Sequence, residues 1–186
     1  MHGSQDMMRS HSFINVMATI PESITFEQAI SFTQSFLSEA QSELSASEIA
    51  QLVKTENGAR GFFATYLTSD SALASCPTPE IIQALRSQKE IVSELLVKNL
   101  AMSTAQALFH RRRQDEEMAR ASQRVQERTA QLIKLVDLDL VYEKSQQLIE
   151  TIKTSSGSYQ AFLERWNYDF EQKQAINEAM QQLTNT

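Results

Sequence analysis

The residues best suited to chemistry stand together in Phe109–Met118, "FHRRRQDEEM", where the eight residues between the bounding Phe and Met carry no apolar side chain. Three arrangements suit such a run: Arg111, Arg112 and Arg113 as a grip for phosphates, His110 with its acidic neighbours as a metal or catalytic cluster, or a helix surface standing in water. Spacing separates them. Arg111 with Asp115, Arg112 with Glu116, Arg113 with Glu117, and Glu116 with Arg120 are each four residues apart, so on a continuous helix each pair can meet on one face. From Arg111 to Asp137 seven basic residues stand against five acidic ones, and a phosphate-binding surface needs cations that are not neutralised one turn away. The expectation is a solvated helix near a bend or tip. Its functional alternative is a partner-docking surface anchored by Phe109, Arg111, Arg112 and Arg113.

The remaining candidates are weighed in the same way. A helical di-iron site needs Glu-x-x-His pairs, but Ala107 stands three residues before His110, and His2 and His11 lie in the first sixteen residues. Cys76 is the only cysteine, so neither a disulfide nor a paired-cysteine zinc site is available within the chain. It precedes Pro77 with no His or Lys nearby in sequence to activate it. Glu116 and Glu117 point to different helix faces and make poor acid–base partners. No catalytic residue, metal ligand or cofactor site is therefore assigned. In "ENGARGFF" (Glu56 to Phe63) two glycines flank Arg60, which reads either as an anion-holding helix start or as a helix end followed by a close helix crossing. The surrounding "ASEIAQLVKTENGARGFFATYL" has helix-turn-helix spacing. However, residues 20–75 carry two basic against seven acidic side chains, the wrong chemistry for DNA. "YQAFLERWNYDF" places Tyr159, Phe162 and Trp166 at helical spacing, as a core stripe or a pocket wall. Arg60, Phe62, Phe63, Tyr66 and Trp166 are thus the ligand-pocket candidates.

The elements that position these residues are helices. Four Gly and three Pro punctuate 186 residues, and residues 80–156 hold neither. No stretch alternates with the period of a strand, so the fold is expected to be all-α: a helical bundle whose one or two long central helices form an arm or hairpin. The chain divides into a disordered or tag-like leader at 1–16, with a cleaner start at Met17, and a single helical domain over 17–186. Within that domain lie N-terminal helices at 25–76, a long helical arm at 79–153 and C-terminal helices at 158–183. Capping boxes are read at Thr25–Gln28, Ser45–Glu48 and Ser87–Glu90, Asn57-Gly58 as a helix end, and Thr78-Pro79 as a helix start. The first stripe runs Phe26, Ala29, Ile30, Thr33, Phe36, Leu37 and Ala40. An unbroken helix from Pro79 to Val136 would reach about 85 Å, against a radius of gyration of about 16 Å for a chain this size, so it breaks or protrudes. Phe109 is the only aromatic between Tyr66 and Tyr142, which suggests that helices 25–68 pack against 142–183. Met118, Val125 and Leu132 keep a seven-residue spacing that could seam against another helix.

Composition narrows the setting. A net charge of −6 and a pI near 5.1 oppose generic binding to nucleic acid or anionic membranes. No apolar run nears the roughly 20 residues of a membrane span, and one thiol fits a reducing, cytoplasmic compartment. The strings "ENGARGFFATYL", "ELLVKNLAMS" and "YQAFLERWNYD" resemble a cyanobacterial family of small all-helical proteins of unassigned function, over about residues 25 to 175. The resemblance implies a cytoplasmic or stroma-like setting and supplies no catalytic residues. The reading that follows is a non-enzymatic protein–protein interaction protein (adaptor, assembly factor or regulator) that binds another protein or itself through the long helix. The alternatives are a small-ligand binder or enzyme with an aromatic pocket, and a helical nucleic-acid-binding regulator.

Overall fold

Thr25 opens the first helix by a reciprocal exchange. Its Oγ1 accepts from the Gln28 N–H at 3.2 Å, while Gln28 Oε1 accepts from the Thr25 N–H at 2.9 Å, the expected capping box. The computed structural model describes residues 20–38 and 46–184. The leader, Met17, Ala40 and the Ser45 cap lie outside them, as do His2 and His11. Among the described residues there are ten helices and no strand. The first is α1 (Phe26–Ser38), with Ala29, Thr33 and Phe36 buried along the expected stripe. α2 (Ala46–Leu52) buries Ile49 and Leu52.

Asn57-Gly58 does not end the second helix. Thr55 caps α3 (Glu56–Thr68), its Oγ1 accepting from the Gly58 N–H at 3.1 Å, so the pair sits in the first turn of the next helix. Gly58 is small for reasons of space: a Cβ there would stand 1.9 Å from the Leu52 carbonyl oxygen. Gly61, farther along α3, has the same role against α1. Its Cβ would lie 2.5 Å from Ala29 Cβ and 2.8 Å from the Phe26 carbonyl oxygen. After α4 (Ala72–Ser75), Thr78 caps α5 (Pro79–Arg86) with proline in the first turn, as read from the sequence.

Between Pro79 and Val136 the chain breaks twice. At the first break the Ser87 hydroxyl donates back to the Ala84 carbonyl at 2.6 Å, closing α5, and the cap of α6 (Lys89–Arg112) is Gln88 rather than Ser87. At the second, Gln114 takes a left-handed φ of 59° and Asp115 Oδ1 accepts from the Met118 N–H at 3.2 Å to begin α7 (Glu116–Val136). Because three residues join them, α7 folds back along α6 as a hairpin. Then follow α8 (Asp139–Thr154), α9 (Gln160–Arg165) and α10 (Phe170–Thr184). Arg86 ties the first break to the hairpin's open end, its Nε and Nη2 donating to the Val136 and Leu135 carbonyls at 2.8 and 3.0 Å.

α6 is the spine. α7, α8 and α10 pack on it, α3 packs on both α6 and α7, and α1 and α2 reach the centre through α3 and α5. The N- and C-terminal helices therefore meet the hairpin between them, rather than each other as the placement of the aromatics suggested. α6 buries Ser93, Ala101, Ser103, Thr104, Ala105 and Ala107 among its larger apolar residues. Small side chains let neighbouring helices approach from several sides without aromatic filling. Leu132, of the seven-residue series, is buried against this spine, while Met118 is exposed.

Candidate interaction surface

The turn between α6 and α7 sets the opening stretch apart from the rest of the hairpin. Every residue from Arg111 to Met118 is exposed. Because the helix ends at Arg112, the i,i+4 pairs of Arg111, Arg112 and Arg113 do not form among the described residues, and each of these three arginines takes another partner; Glu116 and Arg120, both on α7, form no ion pair there either. Arg111 Nη2 donates to Gln123 Oε1 at 3.2 Å across the hairpin. Arg112 Nη1 stands 2.6 Å from Asp169 Oδ2, and its Nη2 pairs with the Glu171 carboxylate. Arg113 lies over the Phe109 ring, 5.3 Å from its centroid. His110 Nδ1 is 3.9 Å from Asp115 Oδ2, too long for a hydrogen bond.

Arg112 brings the start of α10 to this end of the molecule. Asp169 and Gln172 cap that helix reciprocally: the Gln172 N–H donates to Asp169 Oδ1 at 2.8 Å, and the Asp169 N–H donates to Gln172 Oε1 at 3.1 Å. Gln172 Nε2 also donates to the Ala105 carbonyl at 3.2 Å. The Gln172 N–H and Arg112 together hold the Asp169 carboxyl below the usual carboxylate range. Ala105, Phe109 and Arg112 follow one another along one side of α6, so Phe109 lies beside the first turn of α10. Phe170 is the first residue of that turn.

The result is an apolar surface set among charges. Phe109 is 41% exposed, Met118 46%, Trp166 42% and Phe170 79%. Single exposed apolar residues are ordinary, but Phe109, Met118 and Phe170 stand on the helix ends that the α6–α7 turn and the Arg112–Asp169 pair bring to one end of the molecule, and large ones so gathered mark a surface for contact. Beside it a groove of about 430 Å³ runs between α7 and α10 over Leu100, with Arg111 and Lys134 on its walls.

The ligand-pocket candidates do not converge. Phe62, Phe63 and Tyr66 are fully buried, Phe62 stacked on Tyr66 at 5.0 Å and edge-on to Phe63 at 5.4 Å. The Tyr66 hydroxyl donates to the Leu73 carbonyl, and burial pushes the phenol well above its ordinary range against the opposing pull of Arg128. Arg60 is exposed over the Phe26 ring, 5.4 Å from its centroid. No ring contact joins Trp166 to the α3 aromatics. Gly61 is inside α3 and the Gly58 N–H is taken by Thr55, so the backbone donors imagined around Arg60 are engaged. Among the described residues no His, Cys, Asp and Glu side chains gather as a metal-holding group, and no helix is long and apolar enough to cross a membrane.

Sequence reading missed three participants: Phe170, Asp169 and Glu171. Asp169-Phe-Glu-Gln172 has the spacing of a capping box, and reading it so would have put Phe170 at the exposed first position of a helix. Trp166, expected inside a stripe or pocket, is exposed because α9 ends at Arg165 and Asn167 turns the chain with a φ of 47°.

No curated protein and no solved structure matches the chain. A family model described as Uncharacterised conserved protein UCP020893 matches residues 25–183, from the Thr25 cap to the end of α10, and the chain belongs to that family.

Proposed function

We propose that this chain acts by contact, as a non-enzymatic adaptor, assembly factor or regulator, and that its docking surface is the closed end of the α6–α7 hairpin with the start of α10. One observation carries the reading: Phe109, Met118 and Phe170 are exposed at the end of the molecule that carries Arg111–Arg113, while the ring cluster of α3 is filled. Aromatic and arginine side chains dominate the energetics of protein interfaces, and lysine and glutamate do not. The exposed face of α3 offers Glu56, Asn57, Arg60, Ala64 and Thr68, a single cation beside an acid, which favours a protein partner over nucleic acid. The reading includes a cytoplasmic setting, supported by the single cysteine, and a cyanobacterial kinship, supported by the three strings quoted above.

The test is affinity capture from native lysate at low and high salt, with the unaltered chain beside a Phe109→Ser/Phe170→Ser variant. A stoichiometric protein that survives salt with the first and disappears with the second is the expected result. Equal recovery with both would remove the docking role from this surface.

A further inference from the structure

Asn57 followed by Gly58 is a pair whose chemistry the contact reading leaves unused. In an open chain the Gly58 backbone nitrogen, on losing its proton, attacks the Asn57 side-chain carbonyl carbon. A C–N bond forms to close a cyclic imide, and the bond from that carbon to the side-chain nitrogen breaks. The side-chain nitrogen takes up a proton, replacing the one Gly58 gave up, and leaves as ammonia. Water then opens the imide at either of its carbonyls, leaving aspartate or isoaspartate at position 57. Glycine is the residue that favours this closure, since it has no Cβ to hinder the backbone turn.

The fold withholds each requirement. Asn57 lies in the first turn of α3, and closing the imide needs a backbone ψ outside the helical range. The Gly58 N–H donates to Thr55 Oγ1 at 3.1 Å and Gly58 is buried, so base does not reach its proton. The next donor, the Ala59 N–H, closes the same turn on the Thr55 carbonyl at 2.9 Å. The Asn57 side chain, by contrast, is exposed. We infer that Asn57-Gly58 is a self-modification site gated by the first turn of α3, silent while the Thr55 cap holds and reactive when that turn opens. The change is not undone on closing. Isoaspartate carries the main chain through its former side chain, adding one carbon immediately before Gly58. There is no slack at that point: a Cβ on Gly58 would stand 1.9 Å from the Leu52 carbonyl oxygen and 3.0 Å from Ile24 Cγ2. A brief opening is thereby recorded as a lasting change in the joint between α2 and α3.

The experiment is peptide mass spectrometry of the full chain after incubation in mildly alkaline buffer, reading the conversion of amide to acid at Asn57. Chromatography of the peptides separates aspartate from isoaspartate. The chain unfolded in guanidinium chloride sets the rate of the open site, and the folded chain is expected to react far more slowly. Thr55→Ala should react about fivefold faster than the folded parent, because the cap no longer resists opening. Thr55→Ser keeps the accepting oxygen and should react at the parent's rate. Circular dichroism at the incubation temperature establishes that both variants remain folded. A folded parent that reacts as fast as the unfolded chain overturns the gating, with no variant needed. A folded Thr55→Ala that reacts no faster than the parent overturns it as well. The lasting change is tested on chain modified in denaturant and then refolded: the isoaspartate fraction should melt about 3 °C or more below the parent. An unchanged midpoint overturns that part of the inference.

Discussion

The guanidinium of Arg128, buried on α7, donates to the Leu67 and Ser69 carbonyls at 2.9 and 2.6 Å and to Ser75 Oγ at 2.9 Å. These groups lie at and beyond the C-terminal end of α3, where helix carbonyls lack partners of their own. Arg128→Ala should cost about 2–4 kcal/mol of unfolding free energy in urea titration, because the stranded carbonyls stay buried. Arg128→Lys should recover little of it, since an ammonium cannot present the planar fork. Glu94 is the opposite case, a carboxylate between cations: 2.8 Å from Lys98 Nζ, 3.1 Å from Lys144 Nζ, and accepting from the Tyr159 hydroxyl at 3.0 Å. Burial pushes its pKa up, but the two lysines and Tyr159 outweigh that and hold it below the ordinary value. A carboxyl depressed in the folded state adds stability above its unfolded pKa of about 4.3 and loses it as pH falls through the folded value. Glu94→Gln should therefore cost about 1 kcal/mol at neutral pH, with the gap from the parent protein closing in acid, as read from urea midpoints across that range. Neither residue was legible in the sequence. Arg128 lies 61 residues from Leu67, and nothing local distinguishes it from the exposed arginines before it.

Helix starts were the most legible features, because a cap is a local chemical event. Thr25 with Gln28 and Thr78 with Pro79 behave as their spacing dictates. A bend or tip was expected near the charged run, but its i,i+4 pattern from Arg111 to Arg120 favours an unbroken helix and so hid where the turn falls, at Gln114 with Asp115 capping a new helix. Asp115→Ala should cost about 1 kcal/mol and lower the thermal midpoint, with no loss elsewhere. The crossing of α1 on α3 depends on Gly61. Gly61→Ala should cost about 2 kcal/mol in chemical denaturation, and adding Ala29→Gly should restore only part of it, because the Phe26 backbone oxygen remains in the way. The glycine pair in "ENGARGFF" was visible as a close approach, but its place inside α3 rather than before it was not. That depends on the Thr55 cap, whose partner Gly58 carries no side-chain signal.

At the scale of the whole molecule, the all-α class followed from the rarity of Gly and Pro, but the arrangement did not. The scarcity of aromatics between Tyr66 and Tyr142 pointed to an aliphatic arm or hairpin with the terminal helices packed on each other; the hairpin forms, but serine, threonine and alanine on α6 bring it to the centre by close packing. Surface exposure is equally non-local. Phe109 and Phe170 share an end of the molecule because α10 packs along α6, with Arg112 reaching across 57 residues to Asp169 and Gln172 bonding the Ala105 carbonyl. That span also has a meaning in time. The α6–α7 hairpin joins neighbours in sequence and closes far faster than a ribosome adds residues, so it can form as soon as α7 has emerged. At about 5–20 residues per second, Asp169 and Glu171 follow Val136, the end of α7, by roughly 2 to 7 seconds. For that interval the nascent hairpin holds three arginines and Phe109 outward with nothing from α10 against them. The aromatic end of the finished molecule is thus first presented by the unfinished one.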